Sequence, residues 1–62
     1  MEIVTIDGVE AAEVQVYNAL GQLVKTVRDA NEISVAGLAE GVYLLRITDT
    51  DGKVYMNKIT VQ

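Results

Sequence analysis

Gly41-Val42-Tyr43-Leu44-Leu45-Arg46-Ile47-Thr48 is the longest apolar run in the chain, and it is apolar on both faces of an extended strand. Val42 and Leu44 point one way; Tyr43, Leu45 and Ile47 point the other. A strand of this kind belongs inside a sheet, covered on both faces or nearly so, with Arg46 marking where one face stays incomplete. Thr48-Asp49-Thr50-Asp51-Gly52-Lys53 follows as a hairpin loop built on Asp-Gly, and Val54 to Val61 returns as the closing strand. A corner, Ala36 to Gly41, leads in, with Gly37 and Gly41 available for positive φ. This hairpin requires further strands beside it.

The rest of the chain supplies them. Glu2 to Ile6 reads as a first strand closed by Asp7-Gly8. Ala12 to Tyr17 alternates, with Ala12, Val14 and Val16 on one face and Glu13, Gln15 and Tyr17 on the other. Asn18-Ala19-Leu20-Gly21 has the pattern of a type I turn, after which Gly21 completes a bulged hairpin. Gln22 to Arg28 is the return strand. Leu20, Leu23, Val24 and Val27 also make a helical stripe, so helix stands as the alternative there; Gly21 and the β-branched residues favour strand. Asp29-Ala30-Asn31 is a polar turn, and Glu32 to Val35 a short strand with Ile33 and Val35 on one face. Six short strands at this spacing predict an all-β fold, a small antiparallel sandwich. No internal repeat, linker or low-complexity segment is evident.

Sixty-two residues make one small domain, spanning 1–62. The chain has no cysteine and no histidine, which excludes disulfides, Cys/His zinc sites and His-based triads. Five basic and nine acidic residues give a net charge of −4. Lys25, Arg28, Arg46, Lys53 and Lys58 are scattered, so nucleic acid is not an expected partner. No apolar run approaches the roughly 18 residues of a membrane span. Met1-Glu2-Ile3-Val4-Thr5-Ile6-Asp7 lacks the basic start of a signal peptide. That fits either a cytoplasmic chain or a piece of a longer secreted one with Met1 added for expression.

Candidate chemistry is sparse. Tyr43, two residues after Gly41, has the position of a tyrosine corner, whose hydroxyl bonds upstream backbone. Leu38 is expected to plug the core beneath it. Asp49-Thr50-Asp51-Gly52 starts like a calcium loop but returns straight into a strand, so turn chemistry explains it better. Glu10 with Glu13, or Glu40 with Asp49, could pair as acid and base, but a chain this short cannot wall off the cleft such work needs. No cofactor is implied. Tyr17, Tyr43 and Tyr55 would form a sugar or peptide platform only if two shared an exposed face. Lys58 in the closing strand either blunts an edge or contacts a partner.

Val14-x-Val16-Tyr17-Asn18-x-x-Gly21-x-Leu23-Val24, then Ile33-x-Val35-x-x-Leu38-x-x-Gly41-x-Tyr43-Leu44-Leu45-x-Ile47, then Gly52-Lys53 and Lys58-Ile59, resembles the type A C-terminal sorting domain of the type IX (Por) secretion system of Bacteroidetes. The resemblance runs from about Ile3 to Val61. It implies an immunoglobulin-like sandwich of six to seven strands at the end of a secreted cargo, directing that cargo across the outer membrane to the cell surface or medium. It implies an N-terminal cargo domain, outer-membrane translocon or shuttle proteins and a sortase as partners, and no enzyme activity of its own. The motif positions are Gly21, Leu38, Gly41, Tyr43, Gly52 and Lys58, with Ile59 and Val61 in the closing strand. The glycines and Tyr43 are expected to shape the fold, and Lys58 with the closing strand to meet the machinery. Family members often carry an upstream Pro-Asn-Pro strand. This chain has no proline, so its first strand is expected to be missing, exposing a sheet edge open to homodimerisation. Many members also end in a basic residue, where this chain has Gln62.

Two other readings compete. A carbohydrate-binding or adhesive sandwich of a surface enzyme would need an aromatic platform at Tyr17 and Tyr55. An engineered scaffold would fold without export activity.

Overall fold

The computed structural model describes residues 2–62; Met1 lies outside them. Six strands form in order: β1 (Ile3–Thr5), β2 (Ala11–Tyr17), β3 (Leu23–Arg28), β4 (Glu32–Ser34), β5 (Gly41–Asp49) and β6 (Val54–Val61). They make two antiparallel sheets, a four-stranded one ordered β3-β2-β5-β6 and a two-stranded one of β1 and β4. The fold is an all-β sandwich with layers of unequal width. Leu23 to Arg28 are extended, so the helical alternative fails there.

The core lies between the sheets. Val14, Val16, Ile33 and Leu45 are fully buried, and Ile6, Ala11, Val35, Tyr43, Ile47 and Val61 nearly so. Val4, Val9, Val27, Leu38 and Ile59 pack around them. Burial of such side chains contributes roughly 1.5–3 kcal/mol each, and the chain has no cysteine to cross-link them.

Two expectations about faces need correction. β5 is central, between β2 and β6, but only one of its faces is covered. Tyr43, Leu45 and Ile47 are buried, whereas Val42 and Leu44 remain 44% and 38% exposed, because the narrow second sheet covers only the inner side. In β2 it is Ala11, not Ala12, that shares the core face with Val14 and Val16. Ala11 pairs with Asp49 and Glu13 with Thr48, so Ala12 is an extra residue in a β-bulge. Its carbonyl accepts the Asp29 amide at 2.9 Å, and Asp29 turns there with φ of 54°.

β3 carries a second bulge. Val16 pairs with Lys25 and Tyr17 with Leu23, leaving Val24 unpaired. Lys25 shares the inner face with Val27, and its ammonium donates to the Ser34 carbonyl at 2.7 Å. Its stem closes one side of the sandwich while its charge stays near solvent.

Asn31 ties the short sheet down. Its side-chain Oδ1 accepts the Ala11 amide at 3.0 Å, and its NH₂ donates to the Ile6 and Val9 carbonyls at 2.9 and 2.6 Å. Its own carbonyl accepts the Ile6 amide at 2.8 Å. One side chain thus bonds three backbone groups of the β1–β2 connection, and the Glu10 carbonyl there accepts the Thr50 amide at 3.1 Å.

Candidate functional site

Both hairpin ends of the large sheet use one loop. In Asn18-Ala19-Leu20-Gly21-Gln22, the Asn18 Oδ1 accepts the Leu20 and Gln22 amides at 2.9 and 3.0 Å, and its carbonyl accepts Gly21 at 3.0 Å. In Asp49-Thr50-Asp51-Gly52-Lys53, the Asp49 Oδ1 accepts the Asp51 and Lys53 amides at 2.9 Å each, and its carbonyl accepts Gly52 at 3.0 Å. The glycines hold φ of 81° and 85°, a left-handed conformation that costs other residues about 1–2 kcal/mol. This repetition of a local motif is easy to miss, because only the side-chain oxygen and the glycine three residues later are shared.

Asp49 is therefore a turn acceptor with both oxygens engaged, since Oδ2 accepts the Tyr55 hydroxyl at 3.3 Å. Desolvation pushes its carboxyl up. The Lys53 and Asp51 amides, the Tyr55 hydroxyl and the Lys53 charge outweigh that and hold it below the usual aspartate value. Desolvation, then the Asp49 charge and hydrogen bond, raise Tyr55 above the usual tyrosine range.

The corner is built as the tyrosine position implies. Tyr43 is 7% exposed and its hydroxyl donates to the Ala39 carbonyl at 2.6 Å. Leu38 is half-buried and packs against the core, its amide bonded to the Val35 carbonyl at 3.1 Å. Gly41 opens β5 with φ of 151°, which L-residues rarely adopt. Ile59 and Val61 face inward from β6 against the core. Lys58 alternates with them and stands exposed on the outer face of the sheet.

The structure brings only part of the sequence motif to one surface. Gly21, Tyr43 and Lys58 border a groove of about 520 Å³ on the outer face. Val42 and Leu44 of β5 form its floor, Tyr17 and the Asn18–Gly21 turn one wall, and Met56 and Lys58 the other. Leu38 lies in the core layer, and Gly52 sits in the other hairpin loop. Of the groove residues, Tyr17 stands out in the sequence only as part of an aromatic platform, and Val42, Leu44, Arg46 and Met56 do not stand out as a site. The signal was present in β5, whose second apolar face finds no covering layer.

The tyrosines do not form a platform. Tyr17 faces outward, Tyr43 is buried, and Tyr55 lies on the inner side of β6, so no two share an exposed face.

The family described as the secretion system C-terminal sorting domain matches residues 1–62. The chain belongs to this family. The sorting domain is the C-terminal secretion signal of type IX cargo and not a catalytic unit, and it marks proteins for the cell surface or extracellular space. Among curated proteins it is similar to the ulvan lyase NLR42 of Nonlabens ulvanivorans, 33% identical over 63 residues. The match takes in 94% of this chain and 12% of the lyase. No solved structure matches the chain.

Proposed function

We propose that this sorting domain is read as a folded module by the outer-membrane translocon or its shuttle, through β6 and the outer face of the large sheet. The cargo lies N-terminal to it, and a surface sortase removes the domain after passage. The observation that carries this reading is the division of β6. Ile59 and Val61 are given to the core, while Met56 and Lys58 present themselves to solvent beside an uncovered apolar floor. Gly21, Leu38, Gly41, Tyr43 and Gly52 serve recognition indirectly, by setting the turns and corner that position that face.

We further propose that the chain is part of a longer secreted protein whose upstream segment adds a strand to β1. Among the described residues β1 pairs only with β4, which leaves its other edge free. Beside that edge, Tyr55 and Asn57 line a cleft of about 210 Å³ with Val4 and Thr5, on the inner side of β6. A strand there would satisfy backbone groups and cover that cleft. Without it, free edges at β1 and β6 favour pairing between copies, which sedimentation would detect as a concentration-dependent dimer.

The test is export of a reporter fused ahead of residues 1–62 in a type IX-competent host. The fusion should reach the surface or medium, and the reporter without the domain should stay in the periplasm. Equal export of both would refute the proposal.

A further inference from the structure

The outer face of the large sheet differs in charge from the rest of the chain. Three of the five basic residues, Arg28, Arg46 and Lys58, point to this outer face, against one of the nine acidic residues, Glu13; Lys25 and Asp49 of the same strands point to the inner one. Glu13 is already paired with Arg28 at 3.2 Å. Among the described residues, neither Arg46 nor Lys58 has a carboxylate within ion-pair distance. Both border the apolar groove. An acidic chain thus turns a cationic, apolar face to solvent.

The groove is also shaped for one conformation. Arg46 follows Leu44 at a two-residue spacing on β5. Arg46 pairs with Met56 and Leu44 with Lys58, so the two cations are diagonal neighbours, about 7–8 Å apart at Cα. The guanidinium is oriented by the Gln15 Oε1 at 3.3 Å, an oxygen that also accepts the Tyr17 hydroxyl at 3.1 Å. Arginine has five donors, so most of the fork stays available. An extended segment lying along β5 has the same repeat, with side chains i and i+2 about 6.5–7 Å apart. Along β5, Leu44 is level with Tyr17 and Lys58, and Arg46, two residues on, is level with Met56, so an apolar side chain over Leu44 would bring an acidic one to Arg46 beside Lys58.

We propose that this groove docks an extended partner segment in which apolar and acidic side chains alternate on the sheet-facing side. The proposal rests on the reading that a protein recognises the module, and adds the chemistry of what it recognises.

The test uses the 62-residue chain, amide NMR shifts and the peptide Ser-Leu-Ser-Asp-Ser-Leu-Ser-Asp, with a counterpart carrying Lys for Asp. The acidic peptide should shift residues around Leu44, Arg46 and Met56, and the basic one should not. The R46E/K58E variant, its fold checked by thermal unfolding, should lose affinity for the acidic peptide by about tenfold or more and prefer the basic one. R46Q/K58Q, the milder change, should lose the acidic preference without gaining the other. Equal binding of both peptides, or of neither, overturns the proposal. So does perturbation of the same residues by inorganic phosphate or phosphatidylglycerol vesicles but not by the acidic peptide, which would make the face a phosphate or lipid site. In the export assay, normal export of R46E/K58E, with the domainless reporter retained, overturns the docking chemistry alone. Export of the domainless reporter overturns the sorting reading itself.

Discussion

Asn31→Asp exchanges one nitrogen for oxygen at nearly constant volume, and it should be among the more damaging single changes available to this fold. The wild-type amide donates to the Ile6 and Val9 carbonyls and accepts from the Ala11 amide, all in partly buried surroundings. Aspartate keeps the acceptor but loses both donors, and turns a charged oxygen toward two carbonyls. A hydrogen bond contributes about 0.5–1.5 kcal/mol net, and stranding a buried partner costs about 1–3 kcal/mol. Because the site is only partly buried, the expected loss is about 2–4 kcal/mol. A 62-residue domain has about 3–9 kcal/mol in all. Since 1 kcal/mol moves the midpoint of a small domain by about 4–8 °C, Tm should fall by about 8 °C or more. Circular dichroism melts and urea titrations at neutral pH measure the loss. Hydrogen exchange should locate it at the Ile6 and Ala11 amides. Acidification should partly rescue Asn31→Asp, because a protonated carboxyl regains one donor, and should not rescue Asn31→Ala. If Asn31→Asp stays within about 0.5 kcal/mol of wild type, the size of an ordinary surface change, Asn31 is not the tie described here.

Three further outcomes are expected. The Asp49 pKa is depressed in the folded state, so its contribution is present above the unfolded pKa and is lost as pH falls through the lower folded one. Asp49→Asn keeps the Oδ1 acceptor, so its stability should fall less steeply below about pH 4; parallel Tm profiles would contradict this. Tyr43→Phe removes the bond to the Ala39 carbonyl and should cost about 1 kcal/mol, read by urea denaturation, with the ring still filling the core. Deleting Ile59 to Gln62 removes Val61, which is 5% exposed, from the core, so its melt should be lowered or lost, whereas Lys58→Glu should melt within about 0.5 kcal/mol of wild type. Similar melts for the two would mean that the inner face of β6 does not hold the fold.

Strand order along the chain was readable because alternation and turn residues are local. Val54–Val61 and the Asp-Gly loop stand where their residues place them, and Tyr43 bonds as its position after Gly41 implies. The bulge at Ala12 was not readable, because an extra residue shows only in the partner strand's register, through Asp49 and Thr48. Nor was the role of Asn31. An asparagine in a polar turn looks the same whether its amide meets water or three backbone groups. Lys25 facing inward is hidden for a related reason: its charge reads as surface, yet Ser34 gives the ammonium a carbonyl at the rim of the sandwich.

The open groove follows from the same limit. Composition shows that β5 is apolar on both sides, but coverage depends on how many strands the opposite layer has and on which side it packs. With two strands opposing four, one layer suffices for Tyr43, Leu45 and Ile47 and none remains for Val42 and Leu44. The period of two then divides the work within each strand. On β6, Ile59 and Val61 hold the sheet to the core, and the alternate residues Lys58 and Thr60 are free of that duty. A face that does not hold the fold can carry charge and exposed apolar area at little cost to stability. On this domain that face is also where the exposed apolar residues Val42, Leu44 and Met56 lie together.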